Sequence, residues 1–253
     1  MQRWKKASIG VAIAIAALLG LGLWARSGVR NFFYPQAPRM PAAVSAPMPE
    51  VLARLEGVLK TKAPHVVEAL QPGLSAEDIV RLERQYGVQL PADIKAIYQW
   101  HNGSRQATNS LANEFIPTHR FIPLEEALAD RTALLKQQAN ATLLQRAFYR
   151  VLTGHRDSWI CLLGDGAGDG YWYDPKRKAS EGAVFYHFAE TGTYTFFPSA
   201  KNLMSAIETC YAQGIIFVKP ESSPPELDED YRRAEKVWDG FGTSNQRQRQ
   251  RRP

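Results

Sequence analysis

The sequence predicts an α+β fold in which an antiparallel sheet packs against helices, preceded by one transmembrane helix. Three observations carry this. Apolar residues recur at helical spacing from Val51 to His101, from Leu124 to Gln138 and from Ser199 to Gln213. Four short runs rich in β-branched and aromatic residues fall together between Trp159 and Phe197, with connectors too short for crossover helices. A run of nineteen residues without a charge, 7–25, stands near the start.

At about 1.5 Å per residue that run reaches roughly 28 Å, close to the hydrocarbon thickness of a bilayer. Trp4 and Trp24 stand at its two ends, as interfacial tryptophans do. It is longer than the apolar core of a signal peptide and no small-x-small site follows it closely, so it reads as an uncleaved anchor. Arg3, Lys5 and Lys6 precede it; Arg26, Arg30 and Arg39 follow. This near balance tilts weakly towards a cytoplasmic N-terminus, which places the domain outside, in the periplasm of a bacterium. Residues 1–30 are thus the anchor with its basic flanks. Residues 31–49, holding Pro35, Pro38, Pro41, Pro47 and Pro49, form an extended linker.

The globular domain is expected over 50–218. Val51, Leu52, Leu55, Val58 and Leu59 form a first apolar stripe, ending before Pro64. Ser75 caps a second helix, with Asp78 three residues on and Gly87 as its stop. Pro91 opens a third, lined by Ile94, Ile97, Tyr98 and His101 and ended by Asn102 and Gly103. Phe115 to Ile122 reads as a strand, followed by a helix from Leu124 and a further amphipathic run at 143–151. The β-rich runs are 159–164, 170–174, 183–188 and 193–197. A last helix, from Ser199, buries Leu203, Ala206, Ile207 and Cys210. Residues 219–253 comprise a Pro-containing linker, a short helix (Tyr231, Ala234, Trp238, Phe241) that docks back on the domain, and a basic tail.

The formal net charge is +6, yet a nucleic-acid partner is not expected. Five of the 31 Lys and Arg lie in residues 1–30 and four in 245–253, which leaves 22 bases against 25 acids in between. A surface that tracks phosphates needs its bases on the folded body. Cys161 and Cys210 leave two readings open, a pair of buried thiols or one bridge.

Three segments, taken together, resemble the SMI1/KNR4 superfamily, also called SUKH. The first is 74–103, with Leu82 and Glu83, Gly87, Leu90 and Pro91, Asp93, Tyr98, and Asn102 with Gly103. The second is Phe121 to Ala127. The third is 159–175, where Trp159 precedes Asp165, Gly166, Gly168, Asp169 and Asp174. The resemblance implies an α+β binding module without enzymatic activity. Many bacterial members are immunity proteins that neutralise toxins, whereas fungal members regulate wall synthesis and signalling. The expectation is therefore a tethered module that binds a protein, possessing no cofactor, whose partner is a cognate toxin. The alternative is a cell-envelope scaffold or regulator of wall synthesis.

No motif for chemistry competes with that reading. The glycine-rich stretch 164–170 lacks the Lys and Ser/Thr of a phosphate loop. As a calcium loop it fails at Ala167 and at Lys176, where a bidentate Glu is needed. It reads as a turn, with glycines supplying positive φ and aspartates bonding their own backbone. The five histidines lack paired ligand spacing, so no metal is expected. For contact with a partner the candidates are Trp100 and Asn102, which close a helix and have a purely structural reading beside the functional one, and Asp165, Asp169, Tyr171, Trp172, Tyr173 and Asp174, an acidic turn beside aromatic residues.

Overall fold

In the computed structural model, residues 41–105, 113–142, 158–177, 183–188 and 192–244 are described. The expected anchor at 7–25, the amphipathic run at 143–151 and the basic tail at 247–253 lie outside them. No helix among the described residues is long and apolar enough to cross a membrane.

Helix α1 (Met48–Lys62) carries Glu50 in its first turn and Lys60 and Lys62 in its last, each at the end its charge favours. Val51, Leu52, Leu55 and Leu59 are buried on one face. A short α2 (Pro64–Ala69) leads to β1 (Leu70–Pro72). Helix α3 (Ala76–Tyr86) starts as its sequence predicts: the Ser75 hydroxyl accepts a hydrogen bond from the Asp78 amide at 3.0 Å. It stops at Gly87, whose φ of 58° suits a residue without a side chain. Pro91 caps α4 (Ala92–Trp100).

That helix ends at Trp100, and His101 begins an extended strand, β2 (His101–Ser104), antiparallel to β1. The expected placement of His101 on the helical stripe therefore does not hold. Gly103, with φ of 74°, brings the backbone so close to Pro123 that a Cβ would lie 2.5 Å from its nitrogen. Only Arg120–Phe121 of the expected strand 115–122 joins the sheet, as β3. Ahead of it Ile116 and His119 bridge across a tight turn.

Helix α5 (Leu124–Asn140) precedes β4 (Ile160–Gly164), β5 (Gly170–Tyr173), β6 (Val184–Phe188) and β7 (Gly192–Phe197). Helix α6 (Ala200–Ala212) follows, with Ser199 accepting from the Asn202 amide at its start. Strands β3 to β7, with the final β10 (Thr243–Ser244), form one antiparallel sheet in the order β10-β7-β6-β5-β4-β3.

Strand alternation gives this sheet two unlike faces. Tyr171 pairs with Tyr186, and Val184 with Phe197, on the face that joins the main core with Leu203, Met204 and Ile207 of α6. Trp172 pairs with Phe185 and Phe185 with Phe196 on the other face. Trp159 packs edge-on to Phe185 there, with centroids 4.6 Å apart.

The domain extends past the expected boundaries. After Val218 the chain returns as a hairpin of β8 (Ile216–Val218) and β9 (Leu227–Glu229), so the Pro-containing stretch is its loop. Helix α7 (Tyr231–Phe241) buries Ala234 and sets Trp238 against Tyr171, as its apolar spacing predicts. At the other end, part of the expected linker is docked. The Asn202 side chain accepts from Val44 N at 3.3 Å and donates to the carbonyls of Ala42, at 3.2 Å, and Phe241, at 3.0 Å. Cys161 and Cys210 are both free thiols.

Candidate functional site

A cleft of about 910 Å³ opens between helix α5 and the β3–β4–β5 part of the sheet. Each wall follows from local sequence. Pro123 caps α5, and the Asn102 side chain secures its start, accepting from Leu124 N at 3.0 Å while donating to Glu125 at 2.8 Å. Glu126 and Asp130, four residues apart, then share one helical face towards the cleft.

The opposite wall ends in the turn 165–169. The Asp165 carboxylate accepts from the amides of Ala167 (2.8 Å), Gly168 (3.0 Å) and Asp169 (3.0 Å), the self-bonded turn that the sequence predicts. Gly170, pairing with Gly164, leaves no room for a side chain: a Cβ there would lie 2.3 Å from the Leu163 carbonyl oxygen.

Among the described residues lining the cleft, five are carboxylates: Glu114, Glu126, Asp130, Asp165 and Asp169. Two are guanidiniums. Arg120 is ion-paired with Glu126, and Arg131 donates to the Ser158 carbonyl at 3.3 Å. Partial burial of the otherwise solvent-exposed Asp130 carboxyl raises it above its ordinary value, with the charge of Glu126 adding and Arg120 opposing. Burial likewise raises Glu114, against the backbone amides of Thr118 and Leu227. Trp159 and Trp172 supply aromatic wall, and Cys161 faces the same space. Burial, then the charges of Asp130 and Asp165, push the Cys161 thiol far up, so it stays protonated at neutral pH. Among the described residues no group of three His, Cys, Asp or Glu side chains is placed to hold a metal.

The cleft brings together three of the eight candidate contact residues, Asp165, Asp169 and Trp172. The others lie elsewhere. Trp100 is half-buried and donates from its indole to Glu56 at 2.6 Å. The same carboxylate faces His101 at 3.0 Å. Asn102 is buried and engaged at the start of α5. Tyr173 is half-buried beside the main core. Tyr171 and Asp174, also candidates for partner contact, are buried. Tyr171 packs between Tyr186, Phe197 and Trp238 because the strand period turns it inward. Asp174 accepts from the Trp159 indole at 3.1 Å and from Lys176 N at 2.9 Å. Sequence reading missed Glu114, Glu126, Asp130 and Trp159 as cleft residues. The i, i+4 spacing of Glu126 and Asp130 was the available signal.

His119 stands just behind the acidic turn, buried, with its ring against Tyr171 and Tyr186. Its Nδ1 lies 3.0 Å from the Pro117 carbonyl, an acceptor, and also 3.0 Å from the Thr118 hydroxyl. Its Nε2 is buried and meets no hydrogen-bond partner among the described residues. Burial holds the imidazole below its ordinary value, although the Pro117 bond and the charges of Asp165 and Asp169 oppose this. On acidification the unfolded chain therefore protonates first, near pH 6.5, and stability falls from there down to the depressed folded value. His119→Phe is expected to remove a slope of up to ~1.4 kcal/mol per pH unit in that window. Urea midpoints of both proteins between pH 8 and 5 check it; parallel curves would contradict it.

Among the described residues the fold is thus an α+β module in which an acidic cleft opens between α5 and the sheet. The family model described as SMI1 / KNR4 family (SUKH-1) matches residues 73–208. The match spans more than half of the chain, and the chain belongs to this family. No curated protein matches it.

The positions that carry the family pattern are mostly those that hold the fold. Glu83 accepts from Leu90 N at 2.6 Å and from Lys95 at 2.8 Å, tying α3 to α4. The Tyr98 hydroxyl donates to the Ile122 carbonyl at 3.2 Å, and Trp159 bonds Asp174. Asp165 and Asp169 belong both to the pattern and to the cleft.

Proposed function

We propose that this chain is a membrane-tethered, non-catalytic protein-binding module that neutralises a bacterial toxin by forming a stoichiometric complex. Membership of the SMI1/KNR4 family is the observation that carries this reading. The acidic cleft supports it, because a charged concave surface steers and orients a partner of opposite charge. Such neutralisation needs a complementary surface of about 800 Å² per partner and no reactive group. The charge-free run 7–25 with its basic flanks supports tethering, with the domain on the periplasmic side.

Co-expression with the product of the adjacent gene tests the reading. Recovery of a one-to-one complex, together with survival of cells that otherwise die from that product, is expected. Absence of both complex and protection would remove it. A reporter fused after residue 253 reads the side of the membrane on which the domain lies. The envelope-scaffold alternative draws on the same apolar run. A deletion strain with altered morphology or wall-drug sensitivity, in cells that meet no toxin, would favour it.

A further inference from the structure

We propose that the cleft between α5 and the β4–β5 turn is the seat of an arginine-bearing segment of the protein partner, a proposal that rests on the binding reading above.

The argument starts from charge. The described lining holds five carboxylates against two guanidiniums, and Arg120 is already paired within the wall. Carboxylates on two independent elements, Glu126 and Asp130 on α5 and Asp165 and Asp169 on the β4–β5 turn, line one concavity. Asp130 and Asp165 are exposed, so a ligand can reach them from solvent.

The chemistry of the walls then selects among cations. Trp172, half-buried, gives flat aromatic surface beside the carboxylates. A planar guanidinium stacks on an indole while its fork donates two bonds to one carboxylate. A lysine ammonium is a more strongly hydrated point charge and gains less from such a wall. Nucleic acid is repelled by the same lining. At about 910 Å³ the space exceeds one side chain and suits a short stretch of peptide.

The test uses the full chain in neutral detergent and acetylated hexaarginine amide as probe, with hexalysine and hexaglutamate peptides of equal length beside it. Calorimetry and tryptophan fluorescence are expected to show saturable binding of hexaarginine, several-fold weaker binding of hexalysine and none of hexaglutamate. Asp130→Asn, Asp165→Asn and Asp169→Asn remove charge at nearly constant shape, and the Asp165→Asn change retains a side-chain oxygen to accept from the turn amides. The triple variant is expected to bind hexaarginine at least tenfold more weakly with an unchanged urea midpoint. If that midpoint falls, the single variants Asp130→Asn and Asp169→Asn are read instead, each expected to weaken binding severalfold.

Unchanged affinity in these variants, or equal binding of the arginine and lysine peptides, would overturn the proposal. So would tighter hexaarginine binding after Arg247, Arg249, Arg251 and Arg252 are replaced by glutamine, since the cleft would then belong to this chain's own tail. The two readings fail separately. Toxin protection that survives the triple variant sinks the cleft assignment alone, whereas peptide binding without protection sinks the toxin reading alone.

Discussion

Asn202→Ala is expected to lower the unfolding free energy by roughly 2–4 kcal/mol, because a fully engaged buried amide is removed from the point where both ends of the domain meet. Its oxygen accepts from Val44 N and the Ser199 hydroxyl; its nitrogen donates to the carbonyls of Ala42 and Phe241. The residue is 1% exposed, so alanine admits no easy solvent replacement for these bonds. Two measurements check this. The urea midpoint should fall with little change in slope, and limited proteolysis should cut at residues 41–47 faster than in the unaltered chain. A loss below about 0.5 kcal/mol would mean that the connector and α7 hold without this amide.

Trp159→Ala carries the second large effect, about 3–5 kcal/mol, the usual range for deleting a buried aromatic. Trp159 is 1% exposed and is surrounded by Phe185, His187 and Trp172, with centroids 4.6, 5.1 and 6.2 Å away. Trp159→Phe separates packing from hydrogen bonding. It keeps a ring in the cluster but takes the indole donor from the buried Asp174, which is expected to cost about 1–3 kcal/mol. Thermal or urea unfolding of the two variants measures both steps. Equal losses would mean that the hydrogen bond, not the ring, holds this face.

Much of the fold is legible in the chain, and particular residues show why. Ser75 with Asp78, Gly87, Pro91 and Ser199 mark helix ends through local chemistry that needs no tertiary partner. The short connectors between the β-rich runs dictate antiparallel pairing, as the sheet shows. Half of the site is legible for the same reason. The turn 165–169 is a local structure, closed by Asp165 on its own backbone.

What escaped the sequence depends on distant contacts. His101 leaves the helical stripe because β1 offers a strand partner some thirty residues earlier. The stretch beyond Lys219 reads as a linker by composition, yet Leu227 and Thr243 pair with Val218 and Phe196 and hold it to the body. Tyr171 and Asp174 look like surface residues in a polar, glycine-rich segment, and only the register against β6 and the indole of Trp159 turns them inward.

The chain by itself determined the helix ends, the antiparallel hairpins and the acidic turn, since capping, strand period and turn formation act over a few neighbouring residues. Only the tertiary structure decided which carboxylates share a cleft. Glu126 and Asp130 meet Asp165 and Asp169 there because α5 packs beside β4, a long-range contact that no local pattern encodes.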